Sequence, residues 1–190
     1  MKNFTLILPV FNDWESLNVL IERIENILKK TKYHFSVIII DDKSTEKNIY
    51  SLNKNSFFKD VKILKLKKNI GSQKAIATAL KYISDNSENF DDKFIIMDSD
   101  GEDDPNKLLD LFNVLEKNHN IKIVTFNRTL RKESLLFSIL YEVHLFITFL
   151  FTFNYIRFGN FSFITLDIIK KVVTKEELWF AYSATLNKYF

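Results

Sequence analysis

Short apolar runs that end in polar or acidic residues recur along the first two thirds of this chain. They alternate with stretches whose apolar residues fall at helical spacing. Phe4 to Val10 is a nearly unbroken apolar run closing near Pro9, the pattern of a strand buried on both faces. From Trp14 to Lys30, Leu17, Leu20, Ile21, Ile24, Ile27 and Leu28 recur every three or four positions, which predicts an amphipathic helix. Phe35 to Ile40 repeats the strand pattern and stops at Asp41-Asp42. Glu46 to Phe58 reads as a short helix and Val61 to Leu66 as a third strand. Gly71 opens a helix carried by Ala75, Ala77, Ala79, Leu80 and Ile83. Lys93 to Met97 is a fourth strand, Asn106 to Lys117 its helix, and Ile121 to Phe126 a fifth strand. Strands alternating with helices predict an α/β fold, a mostly parallel sheet flanked by helices with right-handed crossovers.

Beyond that regular portion the pattern changes. Leu135 to Ile156 is broken only by Ser138, Glu142, His144, Thr148, Thr152 and Asn154. An acid near the middle disfavours a full membrane span. Two readings stay open: a helix lying in a membrane interface, with Arg128, Arg131 and Lys132 just upstream for anionic headgroups, or a buried core helix. Arg157 to Thr165 reads as a strand, Leu166 to Val173 as a short helix, and Thr174 to Phe190 carries no clear pattern.

With 190 residues, the chain is expected to form a single domain over 1–190. Cysteine is absent, which excludes a disulfide framework, a thiolate zinc site and a cysteine nucleophile. The net charge of +3 is too small to point to nucleic acid, and none is expected as a partner. No leader-like segment opens the chain, so a cytoplasmic location is expected. Glycine and proline are scarce: Gly71, Gly101, Gly159, Pro9 and Pro105 all fall at junctions between predicted elements.

The densest chemistry follows the fourth strand, where Asp98, Asp100, Glu102, Asp103 and Asp104 crowd together before Pro105. Open α/β sheets place ligands beyond the carboxyl ends of their strands, which is where these acids lie. Asp98 and Asp100, two apart, share one side of an extended strand end. Hard oxygen ligands at this density suit Mg²⁺ or Mn²⁺, which binds few carboxylates plus a substrate's phosphates. The alternative is a solvated turn capping the next helix, with Asp103 or Asp104 as N-cap. Three further strand tips converge on the same edge of a parallel sheet: Pro9 to Asp13, Asp41 to Thr45, and Lys68 to Gln73.

These four segments carry a resemblance. Pro9 to Asp13 resembles the P-x-Y-N-E opening of family 2 glycosyltransferases of the GT-A fold, a Rossmann-like α/β architecture. Asp41-Asp42-Lys43-Ser44-Thr45 resembles their D-D-G-S-T, Asn69 to Gln73 their N-x-G-x-Q, and Asp98 to Pro105 their D-x-D-x-Q-D-x-P. The match runs in order over about residues 3 to 173. The branch it resembles most is the polyprenyl-phosphate glycosyltransferases, which include dolichyl-phosphate mannose synthase. Arg128-Thr129-Leu130-Arg131 matches their R-x-x-R, and Gly159-Asn160-Phe161-Ser162 is similar to a later G-x-F element.

The resemblance implies an inverting, metal-dependent transfer of a sugar from a nucleotide-sugar to a polyprenyl phosphate in cell-envelope glycan synthesis. Pro9, Phe11, Asp13, Asp41, Asp42, Gly71, Gln73 and Asp98 are implied for donor binding. Asp98, Asp100 and Glu102 are implied for Mg²⁺ or Mn²⁺, and Arg128 and Arg131 for the acceptor phosphate. If the acceptor is instead a glycan hydroxyl, Asp103 or Asp104 becomes the expected base. A subunit that keeps the fold without turnover is a further alternative. The sequence departs from the family pattern at Phe11 for tyrosine, Asp13 for glutamate, Lys43 for glycine and Glu102 for glutamine. Many relatives continue into transmembrane helices. The expectation here is peripheral contact with the cytoplasmic face of a membrane, through 135–156 or a separate membrane subunit.

Overall fold

The computed structural model describes residues 3–46, 57–89, 92–127 and 158–190. Its elements are β1 (Asn3–Val10), α1 (Trp14–Leu28), β2 (His34–Asp41), β3 (Asp60–Lys65), α2 (Ser72–Asn86), β4 (Lys93–Ile96), α3 (Lys107–Lys117) and β5 (Ile123–Asn127). After these come β6 (Phe158–Thr165), α4 (Leu166–Val172), a 3-10 turn (Glu176–Trp179) and α5 (Tyr182–Tyr189). The expected helix from Glu46 to Phe58 lies, apart from its ends, outside the described residues, as does the apolar segment 135–156.

The strands form one sheet in the order β3-β2-β1-β4-β6-β5. β1 is flanked by β2 and β4, both parallel to it, and β2 carries β3 in parallel on its far side. The apolar runs of β1 and β2 are what a two-sided burial requires. Along β1, Leu6 and Leu8 join one core while Ile7 joins the other, since successive side chains leave opposite faces. The first core takes Trp14, Leu17, Leu20 and Ile24 of α1 and Leu108, Leu111 and Phe112 of α3. The second takes Ala75, Ile76, Ala79 and Leu80 of α2 with Ile169 of α4 and Leu186 of α5. Small alanines on α2 let that helix lie close against the strands.

An aromatic cluster closes the end of the first core away from the acidic tips. The Phe4 ring stands 5.2 Å from both Tyr33 and Phe112 in edge-on geometry. The Tyr33 hydroxyl donates to Glu116 Oε1 at 2.7 Å. Burial, then the bond to Glu116, pushes the Tyr33 phenol up to about 12.

Two features depart from the alternating pattern. β6 runs antiparallel between β4 and β5, so its first residues reach the edge where the parallel strands end. The tail from 174 onward, which carried no readable pattern, packs on α2 through Leu178, Tyr182 and Leu186, all buried. Tyr182 sits fully inside, its hydroxyl 2.7 Å from Ser162 Oγ on β6. Burial raises its pKa well beyond the ordinary tyrosine range. No helix among the described residues is long and apolar enough to cross a membrane.

Candidate active site

The parallel strand tips and the start of β6 surround a cleft of about 380 Å³. Pro9, Val10, Phe11 and Asp13 line it from the end of β1, and Asp42 from the end of β2. Ser72 and Gln73 enter from the first turn of α2, and Asp98, Ser99 and Asp100 from the end of β4. Asn160 of β6 completes the wall. Of the predicted site residues, Pro9, Phe11, Asp13, Asp42, Gln73, Asp98 and Asp100 therefore come together. Asp41, Gly71, Glu102, Asp103 and Asp104 stand outside the lining. Arg128 and Arg131 lie outside the described residues.

The loop after β2 is fastened on both sides. Asp42, buried, accepts the Ile70 and Gly71 N–H groups at 2.8 Å, one on each carboxylate oxygen. These donors precede α2, so the carboxylate also meets the positive end of that helix. Gly71 needs the left-handed backbone it adopts there, with φ of 85°. Asp41 Oδ1 accepts the Ser44 N–H at 2.8 Å and shapes the same turn. From the β1 side, Asn12 Oδ1 takes the Thr45 and Glu46 N–H groups at 2.7 and 3.1 Å, while its own N–H donates to Ser44 Oγ.

Between these contacts Lys43 holds a left-handed φ of 65°. A lysine there costs about 1–2 kcal/mol, and glycine's extra unfolded freedom returns part of that. Lys43→Gly should therefore stabilise the protein by about 0.5 kcal/mol, a rise of about 1–2 °C in thermal unfolding. A fall in Tm would show that the lysine side chain outweighs its backbone strain.

The acidic turn is organised by its own backbone. Asp103, buried, accepts the Asp98 N–H through Oδ2 at 3.0 Å, which draws the turn closed. Asp100 Oδ1 accepts the Glu102 N–H at 2.8 Å across Gly101, whose φ is 77°. Asp104 Oδ1 receives the Asn106 N–H at 3.0 Å, starting the turn that leads into α3. Asp98 and Asp100 are the members that face the cleft. No group of three acidic or histidine side chains among the described residues is gathered closely enough to hold a metal by itself. Two cleft-facing carboxylates fit instead a Mg²⁺- or Mn²⁺-type ion that draws its remaining oxygens from water and a substrate's phosphates.

Sequence reasoning gave no role to Asn160. Its Nδ2 donates to both oxygens of Asp98, at 2.9 and 3.2 Å. Its Oδ1 accepts from Gln73 Nε2 at 3.1 Å and lies 3.3 Å from Ser183 Oγ. Because Ile96 pairs with Ser162 in an antiparallel ladder, position 160 falls level with position 98. The available signal was a polar residue interrupting the apolar run of β6. It became meaningful only with the strand's direction.

The same architecture occurs in known proteins. The chain is 27% identical over 123 residues to an undecaprenyl-phosphate 4-deoxy-4-formamido-L-arabinose transferase of Yersinia enterocolitica, covering 64% of this chain and 36% of the relative. It is 26% identical over 119 residues to a dolichol-phosphate mannosyltransferase of Pyrococcus furiosus, covering 63% and 32%. The chain thus spans about a third of the length of these curated relatives. Among solved structures, S. aureus TarS 1–349 in complex with UDP-GlcNAc superposes with a TM-score of 0.50 at 22% identity, over 70% of this chain and 36% of that one. The fold is the GT-A fold of glycosyltransferases, and the family described as glycosyl transferase family 2 matches residues 5–167, from β1 into α4, so the chain belongs to that family.

Proposed function

We propose that this protein transfers a sugar, with inversion at the anomeric carbon, from a nucleotide-sugar bound in the cleft to a polyprenyl phosphate. The observation that carries the reading is the meeting of Asp13, Asp42, Asp98 and Asp100, from three separate strand tips, around one cleft of about 380 Å³. That volume is in the range of sites that enclose a small organic ligand. Phe11, half exposed at the mouth, offers a ring on which a nucleobase can stack. Asp42 retains acceptor capacity beyond its two backbone bonds, because a carboxylate has about four lone-pair sites. It is therefore suited to accept from a base or ribose as well.

Asp98 and Asp100, with Glu102 close by in sequence, are the residues that would hold Mg²⁺ or Mn²⁺ beside the donor's diphosphate. Such an ion supplies electrostatic stabilisation of the negative charge that develops on the departing nucleoside diphosphate. A phosphate acceptor is already anionic and needs no strong base. That requirement suits Asp103 and Asp104, whose carboxylates serve the Asp98 and Asn106 N–H groups and stand away from the lining. Arg128 and Arg131 are assigned to the acceptor phosphate, since guanidinium forks match phosphate oxygens. The 135–156 segment is assigned to peripheral contact with a membrane that carries the lipid. The similarity to two lipid-phosphate sugar transferases supports this acceptor class.

The test incubates the protein with polyprenyl phosphate in vesicles, Mn²⁺ and a panel of radiolabelled nucleotide-sugars. Label is expected in a lipid-extractable product. Label appearing only on added saccharide would move the acceptor class to a glycan. Donor binding with no product on either acceptor would remove the catalytic reading.

A further inference from the structure

We propose that Asn160 and Gln73 are positioning residues that fix the Asp98 carboxylate, and that a backbone N–H of α5 sets the polarity of the whole relay. The assignment rests on the metal-and-donor reading of the cleft given above.

The relay begins at a donor whose direction is not in question. The Tyr182 backbone N–H donates to Gln73 Oε1 at 2.8 Å. Gln73 must then present its amide nitrogen on the other side, and Nε2 lies 3.1 Å from Asn160 Oδ1. Ser183 Oγ, held by the Gly159 carbonyl at 2.9 Å, lies 3.3 Å from the same oxygen. With its oxygen so occupied, Asn160 turns Nδ2 toward Asp98 and donates to both carboxylate oxygens. Each amide in the series has one orientation that satisfies both its neighbours. Asn160 is only 6% exposed, so reversing it would leave buried groups facing like partners.

The arrangement gives a purpose to the C-terminal helix and to Gln73 together. Both polar ends of Gln73 are engaged within the protein, although the residue lines the cleft. Its contribution to a ligand therefore passes through Asn160 and Asp98. Hydrogen-bond partners of ligating carboxylates commonly change metal affinity by about 10–100-fold when removed.

Gln73→Glu tests the polarity directly. Glutamate keeps an oxygen for the Tyr182 N–H and the same shape, but sets a second oxygen against Asn160 Oδ1. Simple Coulomb attraction predicts that an added anion near the cleft tightens a cation. The relay predicts the opposite sign, because Asn160 must turn its own oxygen toward Asp98. Free Mn²⁺ would be followed by its EPR signal, with the full chain and a mixture of UDP, GDP and dTDP. Nucleotide binding in EDTA and thermal unfolding are measured alongside.

Gln73→Glu is expected to weaken nucleotide-dependent Mn²⁺ uptake by about 10-fold. Asn160→Ala is expected to weaken it similarly, and the double variant no more than either single one. Nucleotide binding in EDTA should be unchanged for Asn160→Ala, which adds no charge. Tighter or unaltered Mn²⁺ uptake by a folded Gln73→Glu protein overturns the relay. So does a loss of binding in EDTA by Asn160→Ala, which would place Asn160 directly on the nucleotide. If Gln73→Glu does not fold, Asn160→Ala decides by the same comparison. Absence of nucleotide-dependent Mn²⁺ uptake by the unaltered protein overturns the parent reading and this assignment with it.

Discussion

Asp100→Asn is expected to lower sugar transfer at saturating Mn²⁺ by about 100- to 1000-fold, the usual cost of removing one aimed electrostatic group. The fold should survive. Asp100 is exposed, and the contact it makes, Oδ1 accepting the Glu102 N–H, is one that an asparagine oxygen can also make. Removing one anion from a turn that holds Asp98, Glu102 and Asp103 also relieves repulsion, so thermal unfolding should stay within about 0.5 kcal/mol of the parent. Nucleotide binding in EDTA should not weaken, since on the proposed reading Asp100 meets the cation and not the base or ribose, and the loss of an anion adds no repulsion. Steady-state rates across a Mn²⁺ series, paired with a melting curve, separate these effects. Retained turnover with the same metal dependence would take Asp100 out of the site.

The parts of this fold that were legible in the sequence are those where a single physical cause dominates. Two-sided burial makes β1, β2 and β4 near-continuous apolar runs, and the six buried positions of α1 show helical spacing because only one face meets the sheet. The tips were legible for a related reason: a run buried to its last residue must change character abruptly where it reaches solvent. Strand direction has no such signature. Nothing in Phe158 to Thr165 distinguishes an antiparallel insertion between β4 and β5 from a parallel sixth strand at the edge.

That one ambiguity hid Asn160. With β6 read as parallel, its N-terminal end lies at the far edge and Asn160 is a surface residue. With β6 antiparallel, the same asparagine stands beside Asp98. The tail was hidden differently. Leu178, Tyr182 and Leu186 are four apart and helical in spacing, but the run is short and the surrounding Trp179 and Phe180 blur the face. Its burial depends on α2 supplying the complementary surface, which is tertiary information. Within the acidic turn, composition announced the cluster but not its division of labour. Asp98 and Asp100 face the cleft, while Asp103 and Asp104 hold backbone N–H groups.

The second large effect is expected at Asp42, where one atom decides the outcome. Asp42→Asn keeps the volume but replaces one acceptor oxygen with an NH₂ group. Both oxygens are in use, taking the Ile70 and Gly71 N–H groups at 2.8 Å. Whichever way the asparagine turns, one backbone donor meets another donor in a position only 3% exposed. A buried donor left unsatisfied costs about 1–3 kcal/mol. At about 2–4 °C per kcal/mol for a chain of this size, thermal unfolding should fall by about 2–12 °C. The same loop carries Gly71 into α2 and so places Ser72 and Gln73 in the cleft. Nucleotide affinity in EDTA should accordingly drop about 10-fold or more, since on the proposed reading Asp42 accepts from the base or ribose and asparagine can offer a donor there instead. Calorimetric unfolding and nucleotide titration on the same preparation measure the two losses separately. A stability loss with intact affinity would reduce Asp42 to a loop clasp, and an unaltered Tm would show that its paired N–H contacts contribute little to holding α2.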